Sequence, residues 1–168
     1  MSEQRDHVAV SFAERLASSQ VFADLFRDGM ALVEETAAYL DGAGRQESKR
    51  LERTAALAYA TESMRLTTRL MQLASWLLLH RAVKEGEMSL AQASREKAKV
   101  KLSAGDHIDE RNLKLLPERL RTLIERSKAL QRAVRRLDAT IHAPVLRIDR
   151  GNPVERQLGL LRAAFERD

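Results

Sequence analysis

YATESMRLTTRLMQLASWLLLHRAVKEGEM, residues 59–88, decides the fold, because it is a long helix that carries no recognisable chemistry. Leu66, Leu70, Leu73 and Leu77 advance by four, three and four residues, which sets one packed seam along an amphipathic helix. Arg65, Arg69, Gln72 and Lys84 fall outside that seam. The other side is apolar too. Met64, Met71, Trp76 and Leu78 carry hydrophobic surface past half the circumference near Leu70–Leu79, as expected of a helix between two neighbours or at a subunit contact. A membrane span is excluded by length: only eleven residues separate Arg69 from Arg81, where a span needs about 20 apolar ones.

The rest of the composition agrees with a helical protein. The chain has 168 residues, 44% of them hydrophobic, enough for one domain to bury a core without metals or disulfides. Aromatics are scarce, Gly and Pro are few, and Ala, Leu, Glu, Arg and Lys dominate, which favours helices over strands. The absence of cysteine removes disulfides, a thiolate nucleophile and any cysteine-bearing zinc site. MSEQRDHVAVSFAERLASS lacks the apolar core of a secretory signal, so a cytoplasmic protein is expected. Charge is polarised. Through Glu62 there are seven Lys and Arg against eleven Asp and Glu, and from Ser63 onward 22 against 13.

Caps and breakers divide the chain. A first helix is expected from Ser18 or Ser19 to Asp41, with Phe22, Leu25, Phe26, Leu32, Val33, Ala37 and Leu40 at helical spacing before Gly42 and Gly44. GAGRQESKR then serves as a linker to a second helix, Ser48–Lys84, ended by Gly86. A short polar helix capped by Ser89 follows, then a loop through LSAGDHIDERN. A third long helix starts at Pro117 and carries the most regular seam: Leu116, Leu120, Leu123, Ser127, Leu130, Val134, Leu137 and Ile141. That seam suits an intramolecular bundle or a coiled-coil-like dimer, and two other long helices favour the bundle. The predicted architecture is all-α: an antiparallel three-helix bundle over residues 18–143, an N-terminal arm over 1–17, and a flexible C-terminal tail over 144–168 that holds a short apolar motif.

Catalytic and cofactor signatures are missing. His7, His80, His107 and His142 are scattered, with no pair at the spacing that aims two imidazoles at one metal from a single helix. Glu34 and Glu35 diverge as sequence neighbours, and Glu62 stands alone. There is no phosphate loop, GxGxxG or GxSxG, so no enzyme, cofactor or metal is expected. Arg119, Arg121, Arg126, Lys128, Arg132, Arg135 and Arg136 decorate the third helix and keep open a second class: a basic helical protein associated with nucleic acid, or a structural dimer. Interleaved Glu118, Glu125 and Asp138, with few aromatics for stacking, favour a solvated charged face instead.

Three blocks carry a likeness that composition does not supply. FRDGMALVEETAAYLDGAGR (26–45), YATESMRLTTRLMQLASWLLLHRAVKEGEM (59–88) and LPERLRTLIERS (116–127) resemble the RcdA family, alphaproteobacterial regulators of the degradation of the cell-cycle regulator CtrA. The resemblance covers most of residues 10–140 and less of the arm and tail. It implies a small helical protein, a homodimer, that acts without catalysis as an adaptor for the ClpXP protease in the cytoplasm, including the cell pole. It further implies a response regulator that primes ClpX, cargo such as CtrA, and a further adaptor that binds cyclic di-GMP.

Tethering is the mechanism expected of such a protein, since holding cargo beside the protease raises its effective concentration. Leu158, Leu160, Leu161 and Phe165 are the expected protease-side contact in the tail. Met64, Met71, Trp76 and Leu78 are the expected cargo or dimer face, against the alternative that all four are ordinary core.

Overall fold

A computed structural model of the chain describes residues 19–97, 99 and 110–142. These residues form six helices: α1 (Gln20–Asp41), α2 (Ala43–Ser48), α3 (Arg53–Lys84), α4 (Leu90–Lys97), α5 (Glu110–Leu115) and α6 (Glu118–Ile141). No strand occurs among them, so the all-α expectation holds. The expected arm at 1–17 and tail at 144–168 lie outside the described residues.

The boundaries follow the local chemistry. The Ser19 hydroxyl accepts from the Phe22 amide at the start of α1. At α4 the pairing is reciprocal: Ser89 Oγ accepts from the Gln92 amide, and Gln92 Oε1 accepts from the Ser89 amide, closing a capping box. Beyond the end of α3 the chain turns at Gly86, whose φ of 75° lies where L side chains are strained. The expected linker GAGRQESKR is partly helical, because α2 takes up its middle.

The seams read from the sequence form the core. Leu66, Leu70, Leu73 and Leu77 of α3 are all buried, as is every position from Leu116 to Ile141 in the α6 seam. Phe22, Leu32 and Tyr39 bring α1 into the same cluster. Twenty-four residues of helix with one continuous apolar stripe bury more than their own propensity could stabilise alone.

The direction of the long helices corrects the expected antiparallel arrangement, and three short helices join the three long ones. Arg69 meets Ser127, Trp76 meets Asp138 and His80 meets His142, so residue numbers rise together and α3 and α6 run parallel. Helix α1 is antiparallel to both: Phe22 packs on Trp76 while Tyr39 meets Tyr59 at Gly44, and Glu35 pairs with Arg126 while Arg119 lies over Tyr39. The physical cause is the long connection after Lys84. A short loop forces neighbouring helices to reverse, whereas the stretch 85–117 is long enough to start α6 at the same end as α3.

Candidate interaction face and a buried histidine pair

Helix α3 has two apolar sides, and only one is covered. Met64 is 72% exposed, Met71 66% and Leu78 52%, and Leu57, seven residues before Met64, is 64% exposed. The interval of seven places all four on one line down the helix, about 30 Å long at 1.5 Å per residue. Between Leu57 and Leu78 the positions three and four away on that line are Ala60, Thr61, Thr67, Thr68, Ala74 and Ser75, none of them charged, while Arg53 and Arg81 lie beyond the two ends. Thr67 donates its hydroxyl to the Ser63 carbonyl and Ser75 donates to the Met71 carbonyl. Those hydroxyls are satisfied by their own helix and need no water, so the stripe is less polar than its sequence suggests.

Trp76 does not belong to this face. It is 1% exposed, packs on Phe22, and donates Nε1–H to Asp138 Oδ1 at 2.8 Å. Trp76 lies about 160° around the helix from Leu78 at 100° per residue, so grouping it with the methionines by side-chain type misplaced it. Leu57 was missed, although its spacing to Met64 was the available signal. Leu158, Leu160, Leu161 and Phe165 lie outside the described residues.

The basic face of α6 is thinner than its sequence. Lys128 is buried beside Glu125, Arg126 donates Nη1–H to Glu35 Oε2 at 2.6 Å, and the Arg119 guanidinium lies 5.2 Å from the Tyr39 ring centroid. Arg69, placed by sequence outside the α3 seam, is buried and donates to Ser127 Oγ at 2.9 Å. Glu62 is likewise buried and accepts from Arg65 Nη1 at 2.8 Å, so it does not stand alone.

Parallel packing also joins two histidines that the sequence had left scattered. His80, in the last turns of α3, and His142, just after α6, approach Nε2 to Nε2 at 2.8 Å with their rings edge to face. His80 is fully buried, stacked on Trp76 at 4.0 Å between centroids, and its Nδ1 is 2.9 Å from the Trp76 carbonyl. A carbonyl only accepts, so His80 Nδ1 carries the proton. For neutral rings the remaining protons then follow: His142 Nε2–H donates to His80 Nε2, and Ser94 Oγ–H donates to His142 Nδ1 at 2.8 Å. Lys97 Nζ lies 2.6 Å from Asp138 Oδ2, and Asp138 Oδ1 is 3.7 Å from His142 Nε2.

Both rings favour the neutral form. Burial pushes His80 down to about 4, against a weaker opposing effect from the Trp76 carbonyl. His142 is also lowered, by burial first and then by the Lys97 ammonium, with Asp138 opposing.

No helix among the described residues is long and apolar enough to cross a membrane. A family model described as a protein of unknown function (DUF1465) matches residues 13–165. The crystal structure of RcdA from Caulobacter crescentus CB15 is similar at 50% sequence identity and a TM-score of 0.63, over 78% of this chain and 98% of that one. No curated protein matches the chain.

Proposed function

Because this chain belongs to the RcdA family, we propose that it is a non-enzymatic adaptor that delivers cell-cycle regulatory proteins such as CtrA to the ClpXP protease. The observation that carries this reading is the exposed stripe Leu57, Met64, Met71 and Leu78 on the outer side of α3. Unbranched Met side chains adapt to more than one partner surface, and a line of apolar residues on a rigid helix presents a fixed docking edge. The stripe is the proposed seat for cargo or for a second copy of the chain. Leu158, Leu160, Leu161 and Phe165 are the proposed contact with ClpX, after its priming by a response regulator, and a cyclic di-GMP-binding adaptor is the proposed extension towards CtrA. The proposed place of action is the cytoplasm, including the cell pole.

A nucleic-acid role receives less support. Lys128 is buried, and Arg126 and Arg119 are occupied by Glu35 and Tyr39, which removes three of the seven basic side chains from a continuous phosphate track.

The test is reconstituted degradation of a candidate cargo by ClpXP with the priming regulator present. No adaptor, the full chain, the chain ending at Ala143 and a Met64→Ser/Met71→Ser variant are compared. Acceleration by the full chain alone supports both proposed contacts. Equal acceleration by the truncated chain removes the tail from the mechanism, and no acceleration by any form rejects the adaptor reading.

A further inference from the structure

The geometry points to a site for one zinc-type divalent cation, with His80 Nε2, His142 Nε2 and Asp138 Oδ1 as its ligands. One ligand atom from each residue lies within 4.8 Å of the others, on two helices that only the parallel packing brings together. The two Nε2 atoms converge, and each ring is held from behind through Nδ1, His80 by the Trp76 carbonyl and His142 by Ser94. Metal-bound imidazoles have this outer support as a rule, because it fixes the ring and places the proton on the nitrogen away from the ion.

Little has to move. Two Zn–N bonds of about 2.0–2.1 Å at a tetrahedral angle place their nitrogens about 3.3 Å apart, so the 2.8 Å pair opens by about half an ångström. The proton shared between the rings passes to His142 Nδ1, and the Ser94 hydroxyl turns from donor to acceptor. No proton leaves the site. The ligand set is two imidazoles and one carboxylate, which suits zinc and its neighbours better than calcium or magnesium, whose sites are built from oxygen.

The electrostatics have two sides. The parallel helices α3 and α6 end together here, and their negative dipole ends favour a cation. Lys97 opposes one, with its ammonium 2.6 Å from Asp138 Oδ2. Lys97 therefore lowers the affinity, and removing its charge while keeping a donor should strengthen binding. A cluster that merely holds the fold together has no reason to respond in that way. Bound there, the ion ties the ends of α3 and α6 to each other just before residue 143.

The test uses the full chain, stripped with chelator, titrated with Zn²⁺ by calorimetry and with Co²⁺ by visible absorption. One equivalent should bind, and Co²⁺ should develop the d–d bands of a four-coordinate site. His142→Ala should weaken binding about a hundredfold, and Lys97→Gln should tighten it about tenfold, with the fold of each checked by circular dichroism. No saturable binding by the full chain overturns the proposal. So does unchanged affinity in His142→Ala, which would put the ion elsewhere. Should His142→Ala fail to fold, Lys97→Gln decides alone, and unchanged or weaker affinity in that variant counts against the site.

Discussion

Arg69 donates Nη1–H to the hydroxyl of Ser127 at 2.9 Å, in the middle of the core and across 58 residues of sequence. Ser127 is the one polar residue in the α6 seam, and its hydroxyl also donates to the Ile124 carbonyl at 2.7 Å. An arginine and the hydroxyl that receives it thus occupy a layer that leucine fills elsewhere.

Ser127→Ala should cost about 2 kcal/mol, the usual range for a hydrogen bond to a charged group. The shift in urea midpoint measures it. Arg69→Met combined with Ser127→Ala should recover part of that loss, because removing both members of a buried polar pair costs less than removing one.

Leu77 and Leu78 are sequence neighbours with opposite fates, one fully buried and one half exposed. Leu77→Ala should lose about 3 kcal/mol in chemical denaturation through the cavity it leaves. Leu78→Ala should stay within about 0.5 kcal/mol of the parent. If Leu78→Ala unfolds the chain to a similar extent, the outer stripe is covered in solution.

A Cβ on Gly44 would lie 2.7 Å from Tyr59 Oη and 2.8 Å from Tyr39 Cε1 and Cζ. Both tyrosines are buried, and Tyr39 is further fixed by donating to Glu47 Oε2 at 2.7 Å. Rings held in this way cannot move aside cheaply. Gly44→Ala should destabilise by about 2 kcal/mol despite the better helix propensity of Ala, as thermal unfolding will show.

Acid should weaken the metal-free chain through His80. Its folded value is about 4, below the 6.5 of an unconstrained histidine, so the unfolded state binds more protons between those two values. The stabilisation is present above pH 6.5 and is lost as pH falls towards 4, by about 3 kcal/mol at 1.36 kcal/mol per unit. Urea midpoints across that window, with chelator present, should fall with pH, and the fall should be smaller in His80→Asn.

The long helices were legible because their signals are local and periodic. Ser19, Gly86 and the eight-position seam of α6 each act within a few residues of themselves. Helix direction was not legible, since it depends on how the chain crosses from α3 to α6, and no spacing within either helix records that. The histidine pair was lost for the same reason: His80 and His142 become neighbours only when two helices 62 residues apart run the same way. Trp76 differs, because its position was legible. Its angle on α3, three residues after Leu73, points it inward, and aromatic character by itself says nothing of that angle. Arg69 misled in the opposite sense, because a charge suggests water unless a partner such as Ser127 is known.

The parallel pairing of α3 with α6 also orders events during synthesis. Tyr39 and Tyr59 are 20 residues apart and can meet soon after both leave the ribosome, whereas the contacts of α3 with α6 close loops of about 60 residues and form more slowly. Until α6 arrives, the part of the inner side of α3 that α1 does not cover is open to solvent together with the outer methionines. A nascent chain that stalls after Lys84 therefore offers two sticky sides, one of which the finished protein keeps.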